Sequence, residues 1–152
     1  GIAPNCPVMS ISNQLMGTSD APQKRADGFN WAWRNGASVI SNSWRSSTFS
    51  ELLEDAIQSA MTNGRNGLGC VVTFSAGNYD SNTVGYPARS LPDIIVVGAL
   101  SLSGKRKSST TIDNEGWWGS DYGTQLDIMA PGVLIYTTDR TTRVRDYNDV
   151  TT

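Results

Sequence analysis

Six short apolar runs punctuate a polar chain, and two amphipathic stretches lie between them. Cys70–Phe74 and Ile94–Gly98 (IIVVG) are continuously apolar, the pattern of strands covered on both faces. Ala37–Asn42 (ASVISN) is apolar and β-branched at its centre, and Pro7–Ile11 (PVMSI) reads as a short first strand. Leu126–Met129 and Val133–Tyr136 predict two more. Between the first two runs, Ala26, Phe29 and Trp33 fall at helical spacing. They predict a helix from Pro22 to Asn35, with proline in its first turn and Gly36 closing its end. Leu53, Ala56, Ile57, Ala60 and Met61 recur on one face of a second helix. Thr48 and Glu51 have the spacing of a capping box at its start, and Gly64 ends it.

Strand–helix–strand–helix–strand is the signature of right-handed crossovers and a parallel sheet, so the fold class is α/β. In an open parallel sheet, ligands bind beyond the carboxyl ends of the strands. Three features fall there: Asn42-Ser43-Trp44-Arg45, Ser75-Ala76-Gly77-Asn78, and the loop reaching Gly85-Tyr86-Pro87. Their convergence is the candidate site.

Composition narrows the class. At 152 residues the chain suits one domain with a real core. Hydrophobic residues make up 38% and charged residues 17%, which excludes a disordered chain. A net charge of −2 without a basic stripe argues against nucleic acid as a partner. No apolar run approaches the roughly 20 residues that span a membrane, so no membrane partner is expected. Gly1-Ile2-Ala3-Pro4 is not a secretory leader. Without an initiator methionine, the chain is expected to be a processed product or an excised piece. Lys105-Arg106-Lys107, followed by Ser108 to Thr111, is expected to be a solvated loop. Cys6 and Cys70 either pair or stand as separate buried thiols, and two cysteines with no histidine do not make an ordinary zinc site.

In order, the chain shows GIAPN, ASVISNSW, VVTFSAGN, TVGYPA, IIVVGAL, SDYG and LDIMAPG. This series resembles the subtilisin-like serine protease family from Gly1 to about Tyr136. The resemblance implies a three-layer α/β/α domain and a polypeptide substrate. It implies secretion or a cell-envelope location and no required cofactor; a structural cation near GYPA occurs in some relatives. It also places residues 1–152 between the segments carrying the family's catalytic His and its nucleophilic Ser. The absence of histidine agrees, and excludes a complete Ser-His-Asp triad within the chain.

Asn78 matches the family's oxyanion-hole asparagine, whose side-chain amide donates to a tetrahedral intermediate. Read without the resemblance, the simpler account is a strand-end Asn making a local turn bond. Ser43, Trp44 and Arg45 match the substrate-binding strand, which usually reads Ser-Leu-Gly and pairs with extended peptide. Trp44 is larger than leucine and is alternatively a core aromatic. Arg45, in place of glycine, either crowds the groove or attracts acidic residues. Ser75, Ala76, Gly77 and Gly85 match the walls and base of the main specificity pocket; the glycines alternatively serve turns only. Asp127 is structural in the family's pattern. Asp80, Asp113 and Asp121 carry no supported metal role.

The family's sheet also places a further strand, bearing its catalytic Asp, between the strands matching residues 7–11 and 38–42. Leaving its neighbours unpaired costs on the order of 1–3 kcal/mol per buried group. Two responses are expected: residues 7–11 pair with 38–42, or a second copy covers the edge. Thr141 to Thr152 is expected to be a polar hairpin or frayed tail. A non-catalytic peptide-binding or scaffolding relative is the alternative function. A nucleotide-binding domain fits poorly, because the glycines of NGRNGLG precede a strand instead of following one.

Overall fold

The computed structural model describes residues 3–12 and 18–135. The predicted tail, Thr141 to Thr152, lies outside the described residues, as does Tyr136. Two helices and four strands follow one another as α1 (Ala21–Arg34), β1 (Val39–Asn42), α2 (Glu51–Gly67), β2 (Val71–Ser75), β3 (Ile95–Leu100) and β4 (Ile128–Pro131). The strands form one sheet in the order β1-β2-β3-β4, and every neighbouring pair is parallel. Val39 stands opposite Val71, Thr73 opposite Ile95, and Val97 opposite Ile128.

α1 forms where its apolar face predicts, with proline in the first turn and Ala26, Phe29 and Ala32 buried. Gly36, at φ 89°, turns the chain out of the helix. α2 begins two residues later than a Thr48 cap requires. Thr48 is engaged in a turn instead, its amide donating to Ser46 Oγ at 3.2 Å. Ser50 is the cap, its Oγ accepting from the Leu53 amide at 3.3 Å. Glu51 therefore opens the helix and does not reach back. Gly64 ends the regular helix as expected, since Arg65 and Asn66 are left-handed. A Cβ on Gly64 would collide with Cys70 Sγ, so the α2–β2 connection needs glycine there.

Both helices cover the same face of the sheet. Leu53, Ala56, Ile57 and Ala60 of α2, and Ala26 and Phe29 of α1, close over Val72, Phe74 and Val96. Each such large side chain contributes roughly 1.5–3 kcal/mol by leaving water. The expectation that β2 and β3 are covered on both faces is corrected. Register puts Val71, Thr73, Ile95, Val97 and Ile128 on the opposite face. Among the described residues that face is open, with Ile128 53% exposed. An apolar run cannot tell which of its two faces is covered.

Three further expectations change. Val133, Leu134 and Ile135 form no strand. Cys6 is exposed and Cys70 buried, both as free thiols; the Cys70 thiol donates to the Ala37 carbonyl. Residues 7–11 form no strand and do not pair with β1. They run along the far side of an open cleft of about 890 Å³, whose other walls are α1 and the outer side of β1. Val8 is 87% exposed. An apolar sequence favours extension, but a strand needs a partner edge within about 5 Å. Here the cleft separates the segment from β1.

Candidate functional site

Parallel neighbours deliver their carboxyl ends side by side. Asn42, the last residue of β1, stands opposite Phe74, one residue before the end of β2. The chain segments that follow, 43–46 and 76–79, therefore leave the sheet together. The third segment joins them where the Ser46 amide donates to the Tyr86 carbonyl at 2.9 Å. Ser46 and Tyr86 form an isolated antiparallel bridge. The three sequence features thus lie on one rim.

Asn42 fixes the first segment from inside. Its buried amide donates to the Ile40 and Thr73 carbonyls at 3.2 and 3.1 Å, while its Oδ1 accepts from the Trp44 indole at 3.1 Å. Trp44 accordingly turns inward. Its ring meets Phe74 edge-on at 5.1 Å and Phe29 at 6.5 Å, with the Arg25 guanidinium 4.7 Å from its centroid. Of the two alternatives for Trp44, the side chain takes the core one, and its backbone alone stays on the rim beside exposed Ser43. Arg45 goes the other way. It lines a cleft of about 460 Å³ together with Phe49, Gly85 and Tyr86.

The second segment is fixed from across the fold. The Ala76 amide donates to the Val97 carbonyl at 2.9 Å and keeps Ala76 buried. Ser75 is exposed. Gly77 has φ 117°, and its carbonyl accepts from the Asp121 amide at 2.9 Å. Asp121 Oδ1 then takes the Tyr79 and Ser81 amides, each at 2.9 Å. Asn78 sits between these anchors, exposed, at the crest of the turn. Among the described residues its side-chain amide has no hydrogen-bond partner, so the local turn bond that would explain it as a structural Asn is not made. The arrangement presents an amide donor on a backbone held from both sides.

The sequence offers Asp121 no role beyond its place in SDYG and the absence of a supported metal site; its clamp on the 77–81 turn is a finding of the structure. Nothing in four residues tells that one of them reaches back 42 positions to hold a loop. The solvated loop expected over 105–111 holds for exposed Lys105, Ser109 and Thr110, and is corrected at Lys107. Lys107 is fully buried, not solvated. Its ammonium donates to the Ser108, Glu115 and Trp118 carbonyls at 2.9, 2.8 and 3.1 Å, and lies 3.3 Å from Asp113. Burial pushes the Asp113 carboxyl up, but the Thr111 hydroxyl, the Glu115 amide and Lys107 outweigh it and hold it below its ordinary value. Arg106 is half-buried, bonded to Asp80 and to the Ser120 carbonyl. Chiefly through that guanidinium, the Asp80 carboxyl is also held low. These pairs brace the 105–122 segment that carries Asp121. Asp127 accepts from the Val96 amide at 2.7 Å and braces β3.

Among the described residues, no three Asp, Glu or Cys side chains converge on a metal position. Nor is any helix among them long and apolar enough to cross a membrane. With no histidine in the sequence, the rim holds donors and space but no imidazole base.

A family profile described as the subtilase family matches residues 1–151. Subtilisin DY of Bacillus licheniformis is 32% identical over 142 residues, which cover 91% of this chain and 46% of that protein. An alkaline protease of Alkalihalobacillus alcalophilus is 32% identical over 138 residues, covering 91% of this chain and 32% of that protein. Subtilisin E of Bacillus subtilis strain 168 is 33% identical over 144 residues, covering 91% and 33%. The chain spans less than half the length of these curated relatives.

Proposed function

The chain belongs to the subtilase family, and on that premise we propose that it supplies the oxyanion donor and the substrate groove of a serine endopeptidase. The nucleophile and base come from parts of the protein outside these 152 residues. Asn78 donates its side-chain amide to the oxyanion of the tetrahedral intermediate. The backbone of Ser43, Trp44 and Arg45 pairs with extended polypeptide substrate, and Ser75, Ala76, Gly77 and Gly85 bound the pocket for one substrate side chain. The single observation that carries this reading is Asn78. Its amide is exposed and unpartnered among the described residues, on a turn fixed by Ala76 on one side and Asp121 on the other.

A donor held in place before reaction costs nothing to orient when charge develops on the oxygen. Peptide hydrolysis by this route still needs an activated serine, so the chain by itself is inactive. The open cleft beside β1 fits the same reading, because it leaves room for a further strand of the complete domain. Secretion or a cell-envelope location accompanies this activity in our reading.

The test is Asn78→Ala in the full-length protein, with hydrolysis of a chromogenic peptide as the assay. Turnover should fall by about 10²–10³ with KM nearly unchanged; this figure is the general cost of removing such a donor, established on a subtilisin and not worked from this chain. Unchanged turnover in Asn78→Ala would sink the assignment.

A further inference from the structure

One buried polar group at the rim is left half-used. Asp121 is fully buried, and its Oδ1 is satisfied by two amides, yet its Oδ2 makes no hydrogen bond among the described residues. The cation beside it is Arg45, whose Nη1 stands 3.9 Å away, beyond hydrogen-bond length. Arg45 leaves the groove strand with its stem against Gly85; Cδ lies 3.2 Å from where a Cβ of that glycine would stand. Its guanidinium lies over Tyr79, 3.7 Å from the ring centroid. Oδ2 itself fills the space a Gly77 side chain would need. The Arg45 side chain therefore spans the gap between Gly85 and the carboxylate behind Gly77. It is 48% exposed, so it is not sealed in.

We infer that this gap is a recognition pocket for a basic side chain of the polypeptide substrate, arginine above lysine. Asp121 and Tyr79 are its specificity-determining residues, and Arg45 is an internal occupant that a substrate arginine displaces. The inference rests on the peptide groove proposed above and adds the class of side chain it selects. A buried carboxylate tolerates the loss of its cation only if another cation replaces it. A substrate guanidinium remakes the two contacts Arg45 gives up, the carboxylate and the aromatic face. A neutral side chain of the same shape leaves Oδ2 buried without a counter-charge. Lysine offers a compact, strongly hydrated charge that stacks less well on Tyr79.

The experiment measures fluorescence polarisation of two labelled pentapeptides with the full-length protein. They differ only in ending with arginine or with citrulline, its uncharged isostere. The arginine peptide should bind about tenfold more tightly or better, as expected for a charge pair closed in a buried site. Asp121→Asn keeps an oxygen for the Tyr79 and Ser81 amides while removing the charge, and should erase that difference. Arg45→Ala removes the competing occupant and should tighten arginine-peptide binding several-fold. Because the two variants move affinity in opposite directions, general damage to the fold cannot imitate the pattern. Equal binding of the two peptides, a preference that survives Asp121→Asn, or weaker arginine binding in Arg45→Ala would each overturn the inference. Hydrolysis separates the two levels. An arginine preference in a protein that cleaves no peptide would refute the peptidase reading and leave this pocket standing. Cleavage without that preference would do the reverse.

Discussion

Gly77→Ala tests whether the turn carrying Asn78 is held as described. The new Cβ would stand on Asp121 Oδ2 and 3.1 Å from its Cγ, in a backbone at φ 117°. The carboxylate would have to retreat by about an ångström to reach ordinary contact distance. Its Oδ1 accepts two amides at 2.9 Å each, and a shift of that size breaks at least one of them. A hydrogen bond to a charged group contributes about 1.5–3 kcal/mol. The unfavourable backbone conformation of a non-glycine residue adds about 1–3 kcal/mol. Together the variant should lose about 2.5–6 kcal/mol, reaching the diagnostic end of single substitutions. Urea unfolding of the full-length protein reads this loss. Gly36→Ala is the control: φ is also positive, at 89°, but nothing lies within 4 Å of the new Cβ. It should cost the backbone contribution alone, about 1–3 kcal/mol. If Gly77→Ala is no more destabilising than Gly36→Ala, Asp121 does not clamp the turn, and the account of Asn78's positioning fails with it.

Two further outcomes follow from the segment behind the site. Lys107→Met removes the ammonium from three carbonyls and from Asp113, and should lower the melting temperature by about 6 °C or more, whereas Lys105→Met at an exposed position should barely move it; equal effects would return Lys107 to the surface. The Asp80 carboxyl, held low chiefly by Arg106, contributes stability that is present above its ordinary value of 3.8 and lost as pH falls through its lower folded-state value. Urea midpoints taken from pH 6 to pH 2 should therefore decline less steeply in Asp80→Asn, and an unchanged decline would refute the linkage.

Much of the fold was legible because its signals were local. The faces of α1 and α2 follow from i, i+3, i+4 spacing, and β2 and β3 from β-branched runs bounded by glycine and polar residues. The errors came where a second element decides the outcome. Residues 7–11 have a strand's sequence but no edge within reach. Thr48 and Glu51 have the spacing of a cap, but Ser46 holds Thr48 in a turn. Lys107 reads as a surface charge, because the carbonyls that satisfy it belong to residues up to eleven positions away. The rim was legible from topology alone, since parallel strands must bring their carboxyl ends together. Which way alternate side chains face was not: Trp44 went to the core, and Arg45 went to the cleft beside Gly85. Asp121 was hidden for the same reason as Lys107, its partners lying 40 and 42 residues away.

The most direct test of the central claim compares the full-length protein with the isolated 152-residue chain in one assay, covalent labelling by a fluorophosphonate with peptide hydrolysis measured alongside. The account predicts that the full-length protein is labelled on a serine outside this chain and hydrolyses peptide, while the chain alone does neither. Labelling or turnover by the isolated chain, or a full-length protein that shows neither, would contradict it.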